Sequence, residues 1–129
     1  MTKAVDPSKA ANYMIKAESS LNIAKIAITQ QAYDNAVMSA VHSAINALDA
    51  LTTFYLNKRS SGAHTDVLSL IKGIFSVQDY ANIARQFNSL LSLKNASEYQ
   101  PDLMGKDDAA SSVKWAERII NKVKDKLKK

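Results

Sequence analysis

The sequence predicts an all-α protein, an up-and-down helical bundle of four main helices plus a short helix, folded as one domain over residues 1–129. Apolar residues recur at three- and four-residue spacing along most of the chain, which is the period of an amphipathic helix. Glycine and proline are scarce, at 3 and 2 residues, which favours long helices joined by short turns over a turn-rich β protein. The hydrophobic share of 47% is ordinary for a globular domain of this length.

The first helix is expected to begin at Asp6, Pro7 and Ser8, with Asp6 or Ser8 as the cap and proline near the first helical position. A single apolar stripe follows at helical spacing, formed by Met14, Ala17, Leu21, Ala24 and Ile28. We expect a turn near Gln30 to Asp34, although this stretch holds no strong helix breaker.

The second helix has the clearest pattern, with alternating spacings of four and three over almost three heptads. Its stripe consists of Val37, Val41, Ala44, Leu48, Leu51 and Tyr55. We expect the stripe to face neighbouring helices as the core of the bundle. The helix should end at "NKRSSG", where basic residues precede Gly62 as a left-handed cap.

Three further helices complete the predicted bundle, with a loop from residue 95 to residue 108 that Pro101 and Gly105 mark. The predicted ranges are roughly His64 to Ile74, roughly Gln78 to Lys94, and Asp107 to about Lys126. Their stripes are Val67, Leu70, Ile71 and Ile74; then Tyr80, Ile83, Phe87, Leu90 and Leu91; and finally Ala109, Val113, Ala116, Ile120, Val123 and Leu127.

The composition excludes several classes of chemistry. Cysteine is absent, so disulfides, thiolate zinc sites and a cysteine nucleophile are excluded, and two histidines are too few for a His-rich metal site. Glycine-rich phosphate loops and the H-E-x-x-H and G-x-S-x-G motifs are missing, so we expect no metal and no cofactor. The chain has no signal-peptide core and no apolar run that could span a bilayer, which predicts a cytoplasmic protein without a membrane partner.

The formal net charge of +5 indicates a polyanionic partner, but only weakly. Much of the excess lies in the C-terminal "KVKDKLKK". For these lysines we favour a solvated helix end that complements the helix dipole.

Two residues between the second and third helices, Arg59 and His64, carry the most suggestive chemistry. An arginine can fork onto two phosphate oxygens, and a histidine can give or take a proton near neutral pH. RNA brings its own nucleophile, the 2′-hydroxyl, so this pair could support its cleavage without a metal. On residue types alone, a structural role is favoured: Arg59 would complement the dipole at a helix end and His64 would cap the third helix.

A longer stretch resembles the HEPN (higher eukaryotes and prokaryotes nucleotide-binding) domain family. It consists of "AVHSAINALDALTTFYLNKRSSGAHTDVLSLI", then "LLSLKNASEYQPD" and a final amphipathic helix. The family folds as a small helical bundle, and many members carry an arginine and a histidine separated by four to six residues. Arg59 and His64, with four residues between them, match that motif at a helix junction.

The resemblance implies a metal-independent endoribonuclease that acts as a homodimer, with two copies of the motif lining a cleft. Arg59 would then stabilise the scissile phosphate and His64 would be the general acid or base, while Ser60 keeps the polar residue that often follows the arginine. Other members are non-catalytic modules that bind nucleotides or partner proteins, often a nucleotidyltransferase antitoxin. Those alternatives stay open at the level of sequence, as does a mononucleotide sensor that uses the same cleft.

Asp49 and His42 lie at helical spacing beside the core stripe of the second helix. Asp49 interrupts an apolar stretch, and it could orient His64, pair with Arg59, or simply form a hydrogen bond between helices. For His42 we favour an interhelical or dimer-interface position over a catalytic one.

Further candidates for contact with RNA lie in the C-terminal half. Lys94 and Tyr99 flank the predicted loop and could reach a phosphate and a base, with a packing role favoured for Tyr99. The last helix carries a basic stripe at four-residue spacing, which could track an RNA backbone, although a solvated outer face is favoured. The stripe consists of Lys114, Arg118, Lys122 and Lys126. Trp115 beside it is expected to belong to the core.

Overall fold

The computed structural model describes residues 2–60 and 66–128. They form β1 (Thr2–Ala4), a 3-10 turn (Pro7–Lys9), α1 (Ala10–Thr29), α2 (Tyr33–Leu56), β2 (Lys58–Ser60), α3 (Asp66–Ile71), α4 (Val77–Tyr99) and α5 (Lys106–Leu127). The predicted all-α bundle of four long helices and one short helix is confirmed, with a two-stranded ribbon in addition. Over the described part of the chain, no helix is long and apolar enough to cross a membrane.

α2 is the central helix of the bundle and packs against α1, α4, α5, α3 and β2. Its predicted stripe is fully buried over five positions, Val37, Val41, Ala44, Leu48 and Leu51. Tyr55, the sixth, is 40% exposed because it lies at the end of the helix, where its hydroxyl donates to the carbonyl of Lys126 at 2.8 Å. The stripe therefore forms the core as predicted, and its last member connects α2 to the end of α5.

α1 and α2 form a tight antiparallel hairpin, since the turn between them occupies only residues 30–32. Small side chains such as Ala17, Ala24 and Ala44 lie fully buried, and they let the two helices approach closely. The hydroxyl of Ser43 donates to the carbonyl of Ala17 at 2.8 Å inside this contact. A hydroxyl buried between helices is thus satisfied by the backbone of the neighbouring helix.

The N-terminal boundary of the first helix follows the predicted cap. The carboxylate of Asp6 accepts from the backbone N–H of Ser8 at 3.0 Å, and Pro7 occupies the first position of the 3-10 turn. α4 has a serine cap of the same kind, because Ser76 Oγ accepts from the N–H of Asp79 at 3.1 Å.

α4 extends to Tyr99, whereas the sequence predicted a loop from residue 95. Two interactions keep this segment helical. Lys94 pairs with Glu98 one turn later at 3.0 Å, and Ser97 Oγ donates to Asp34 at the start of α2 at 2.7 Å. One local pair and one tertiary contact thus keep helical a stretch that its asparagine and serine had predicted to be a loop.

α2 ends at Leu56, earlier than the predicted cap at Gly62. The left-handed residue is Asn57, with φ 58°, and its N–H donates to the carbonyl of Thr53 at 3.1 Å. Asparagine adopts this conformation more readily than other residues with a Cβ, so it ends the helix as a glycine would. Gly62 lies outside the described residues.

α3 ends at Ile71, three residues before the predicted boundary, and a turn leads from it to Ser76. Val67, Leu68 and Ile71 are buried, so this short helix covers the core near the end of α2. Leu68 was absent from the predicted stripe.

Gln31 offers a direct test of backbone strain, because its φ of 58° brings the Cβ atom close to the following carbonyl oxygen. We expect Gln31→Gly to stabilise the protein by about 0.5–1 kcal/mol. The matched control is Gln30→Gly, at φ −95°, which should destabilise by a similar amount. Thermal and urea unfolding of both variants measure this, and equal effects at the two positions would contradict the interpretation.

Candidate functional site

Arg59 is the middle residue of β2, and its position follows from the turn at Asn57. β2 pairs antiparallel with β1, and Arg59 lies directly opposite Lys3. The side chain is half-buried, and its Nη1 donates to the carbonyl of Ser60 at 3.0 Å. The ribbon packs against α2, so Arg59 is held near the C-terminal part of the central helix.

Lys3 is the residue of this site that sequence reasoning missed. Residues directly opposite each other in an antiparallel pair project from the same face, so the cations of Lys3 and Arg59 share one side of the ribbon. Like charges in this arrangement repel, and a bound anion would relieve that repulsion. A strand of three residues carries no periodicity, so no pattern in the N-terminal segment identified Lys3 beforehand.

Asp49 is buried in α2, with only 9% of its surface exposed. Burial raises the pKa of its carboxyl from 3.8 to about 6, and the positive charge of Arg59 opposes that rise. Of the roles proposed from the sequence, an electrostatic pairing of Asp49 with Arg59 agrees with this arrangement. His64, the other partner considered, lies outside the described residues.

A polar strip extends along α2 on both sides of Asp49. His42 is exposed, Asn46 donates to the carbonyl of His42 at 2.9 Å, and Thr53 lies one turn after Asp49. The hydroxyl of Thr53 is buried, and it has no hydrogen-bond partner among residues 2–60 and 66–128. An unsatisfied buried hydroxyl beside a buried carboxyl is unusual for a core helix and is typical of a functional site.

Lys94 and Tyr99 lie toward the opposite end of the bundle. They flank Ser97, which binds Asp34 in the first turn of α2. Asp49 follows Asp34 by fifteen residues, about 22 Å along the helix axis. Within one chain, the structure therefore does not bring Lys94 or Tyr99 to Arg59. Lys94 is paired with Glu98. Tyr99 is 77% exposed, so the packing role predicted for it is wrong.

The four residues of the basic stripe of α5 have different surroundings. Lys114 and Arg118 are exposed, whereas Lys122 pairs with Asp79 of α4 at 3.0 Å. Lys126 places its ammonium 5.8 Å from the ring centre of Phe75. Trp115 is partly buried and packs against the core, as expected. Arg118 and Lys114 are thus the members whose charge faces solvent.

Ser60 is partly buried on β2, and its carbonyl oxygen anchors Arg59. The backbone of Ser60 thereby helps to position the Arg59 side chain. Among the described residues, no group of three or more histidine, aspartate or glutamate side chains is placed to hold a metal ion.

The raised pKa of Asp49 makes stability depend on pH. The folded protein binds the proton of the Asp49 carboxyl more tightly than the unfolded chain does. Its contribution to the free energy of unfolding is therefore present below about pH 4 and is lost as the pH rises through about 6. Asp49→Asn removes that loss, and we expect it to stabilise the fold by about 1–3 kcal/mol above about pH 7. The difference in the free energy of unfolding between this variant and the wild type should shrink as the pH falls toward about 4.

Urea unfolding of both proteins across that pH range measures the difference. Asp102→Asn, at an exposed carboxyl, is the control and should change stability by less than about 0.5 kcal/mol. A destabilised Asp49→Asn variant with no dependence on pH would contradict the assignment.

Comparisons with known proteins agree with this fold. The crystal structure of TT1696 from Thermus thermophilus superposes with a TM-score of 0.75 at 17% identity, covering 92% of this chain and 98% of that one. At this identity the likeness shows a shared fold. Curated proteins give no match. The family model of the HEPN domain matches residues 10–126, so this chain belongs to the HEPN domain family.

Proposed function

We propose that this protein binds the phosphate backbone of RNA through Arg59 and cleaves it without a metal ion, as a homodimer. The observation that carries the proposal is the placement of Arg59, half-buried on the ribbon, in the field of the buried Asp49 and directly opposite Lys3. Family membership supports it, since the Arg59 and His64 spacing matches the motif of catalytic members.

Arg59 is suited to a phosphate because its guanidinium is already oriented. The contact with the Ser60 carbonyl uses one of the five N–H donors of a guanidinium, and the planar fork matches two phosphate oxygens. A donor that is fixed before the reaction stabilises developing charge more effectively than one that must reorganise. Lys3 would add a second positive charge on the same face of the ribbon.

The proposed reaction is attack of the RNA 2′-hydroxyl on the adjacent phosphate. Arg59 would stabilise the charge on the phosphorane, and His64 would transfer a proton as general acid or base. Asp49 would hold Arg59 in place before substrate binds. A phosphate bound to Arg59 would disfavour the Asp49 carboxylate, so its pKa should rise further on binding.

The homodimer would place two such ribbons on either side of one cleft. The strip of α2 that leads to Asp49 supports this arrangement, because Met38 and Asn46 are only partly covered and His42 is exposed on the central helix. A central helix that leaves such a strip uncovered is suited to a second copy of the chain. His42 would then be an interface residue, as expected from the sequence.

Incubation of single-stranded RNA with the purified protein in EDTA tests the proposal. We expect cleavage by the wild type and a loss of about 100-fold or more in Arg59→Ala and His64→Ala. Lys3→Ala should keep cleavage and lower RNA affinity by a few-fold, with a shallower salt dependence. Arg85→Ala, at an exposed arginine of α4, is the matched control and should cleave normally.

Intact RNA after long incubation with the wild type would rule out catalysis. If the wild type still bound RNA and Arg59→Ala did not, the protein would be a non-catalytic RNA-binding module and not a ribonuclease. If Arg59→Ala bound RNA as tightly as the control variant, the phosphate site itself would be wrong. A copurifying nucleotidyltransferase-type protein would then point to the partner-binding alternative.

A further inference from the structure

α1 exposes three isoleucines on the side that points away from the bundle. Ile15, Ile23 and Ile26 are 65%, 53% and 53% exposed. Each lies two residues from a buried side chain of α1, about 200° around the helix, so it projects away from α2 and α5. Isoleucine forms helices less readily than alanine, lysine or glutamate, so helix propensity does not explain its use there. A patch of exposed apolar side chains is typical of an interaction surface.

The centre of this face has the same residue spacing in both directions along the helix. Ile15, Ser19, Asn22 and Ile26 are separated by four, three and four residues, and they form one exposed, uncharged stripe, the α1 stripe. A two-fold contact joins one surface to a copy of itself, so a stripe with this symmetry fits an antiparallel copy. Ile15 of one chain then meets Ile26 of the other. Ser19 meets Asn22 at the centre.

The charges beside the α1 stripe favour this antiparallel orientation. Glu18 and Lys25 lie on the flank next to α5, where Lys25 pairs with Glu117 at 2.7 Å and Glu18 pairs with Lys124. Both side chains remain about half exposed. In the antiparallel pair, Glu18 of one chain is offset from Lys25 of the other by two residues, about 3 Å along the helix axis. A parallel pair in register would instead bring like charges together, so charge complementarity selects a second copy in the antiparallel orientation.

The spacing of the α1 stripe also suits close packing of two helices. Alternating steps of four and three residues are typical of helix pairs that cross at about 20° with their axes about 8–10 Å apart. At this shallow angle the facing residues stay in contact along the whole stripe. The small side chain of Ser19 permits the close approach at the centre.

We infer that the α1 stripe is a two-fold contact surface for a second copy of this chain. The surface belongs to α1 alone and faces away from α2, so it is separate from the α2 strip proposed to border the cleft. A chain with two separate two-fold surfaces assembles into four copies, as two pairs of dimers. The inference depends neither on Arg59 nor on the proposed ribonuclease activity.

Introduced cysteines test the contact directly, because the chain has none of its own. When Ile15→Cys and Ile26→Cys proteins are mixed under mild oxidation, we expect a disulfide between the two variants. Neither variant alone should form one, because equivalent positions lie eleven residues apart across the two-fold axis, about 16 Å along the helix. A disulfide needs Cα atoms within about 7 Å. The control mixture is Ile15→Cys with Leu103→Cys, at an equally accessible apolar residue outside α1, and should not cross-link.

A second measurement uses the mass of the assembly in solution. Ile26→Glu would place a carboxylate against Ile15 of the second copy, and we expect the dissociation constant of this contact to rise about ten-fold or more. Light scattering near the wild-type dissociation constant should then show a mass reduced toward half. Leu103→Glu is the matched control and should leave the mass unchanged. Circular dichroism should show the same helix content in both variants, because the substituted side chains are exposed.

The decrease in mass is expected whether or not the α2 strip forms a dimer, and RNA cleavage by Ile26→Glu should not be abolished. Failure of the Arg59 proposal therefore leaves this test unaffected. Disulfides within each single variant and none in the mixture would overturn the antiparallel contact. An unchanged mass of Ile26→Glu together with no cross-link in the mixture would overturn the second copy as the occupant. Capture of a different protein that Ile26→Glu alone loses, by a chain that never self-associates through α1, would also contradict the inference.

Discussion

The burial of the Asp49 carboxyl within range of the positive charge of Arg59 is the constraint on which the candidate site depends. Asp49 is buried in the central helix, where an ionised carboxyl is costly unless a positive charge lies near it. Arg59 supplies that charge from the ribbon, whose course in turn follows from the left-handed residue Asn57. The ribbon also brings Lys3 to the same face. The electrostatic interaction of Asp49 with Arg59 and the pairing of β2 with β1 together connect the central helix, the turn and the N-terminal strand.

The helices were predictable from the sequence because each buries a stripe with a clear period. The stripe of α2, from Val37 to Leu51, is buried as its spacing predicted. The ribbon was not predictable, since strands of three residues carry no period and their pairing joins segments more than fifty residues apart. The extension of α4 to Tyr99 was also missed, because it depends on a contact between Ser97 and Asp34.

The candidate site was predictable only in part. The spacing between Arg59 and His64 identified Arg59 as a candidate site residue, and Asp49 was a candidate because it interrupts an apolar run. Lys3 gave no such signal. A lysine near the N-terminus looks like an ordinary surface residue until the pairing of β1 with β2 places it opposite Arg59.

Two polar groups of α2 are buried at a cost in stability: the carboxyl of Asp49 and the hydroxyl of Thr53. A helical bundle of this size has no structural need for them, because apolar side chains would fill the same positions. Function explains such positions when it requires groups that folding alone disfavours. Asp49 and Thr53 both lie on the polar strip of α2 beside the ribbon.

Titration of the Asp49 carboxyl by ¹³C NMR, in the wild type and in Arg59→Ala, tests the coupling most directly. If the two side chains interact as described, the wild-type pKa is about 6 and rises further when the arginine is removed. A carboxyl that titrates near 3.8 in the wild type would show that Asp49 is not buried as described. A pKa unchanged by Arg59→Ala would show that the ribbon and the central helix are not coupled.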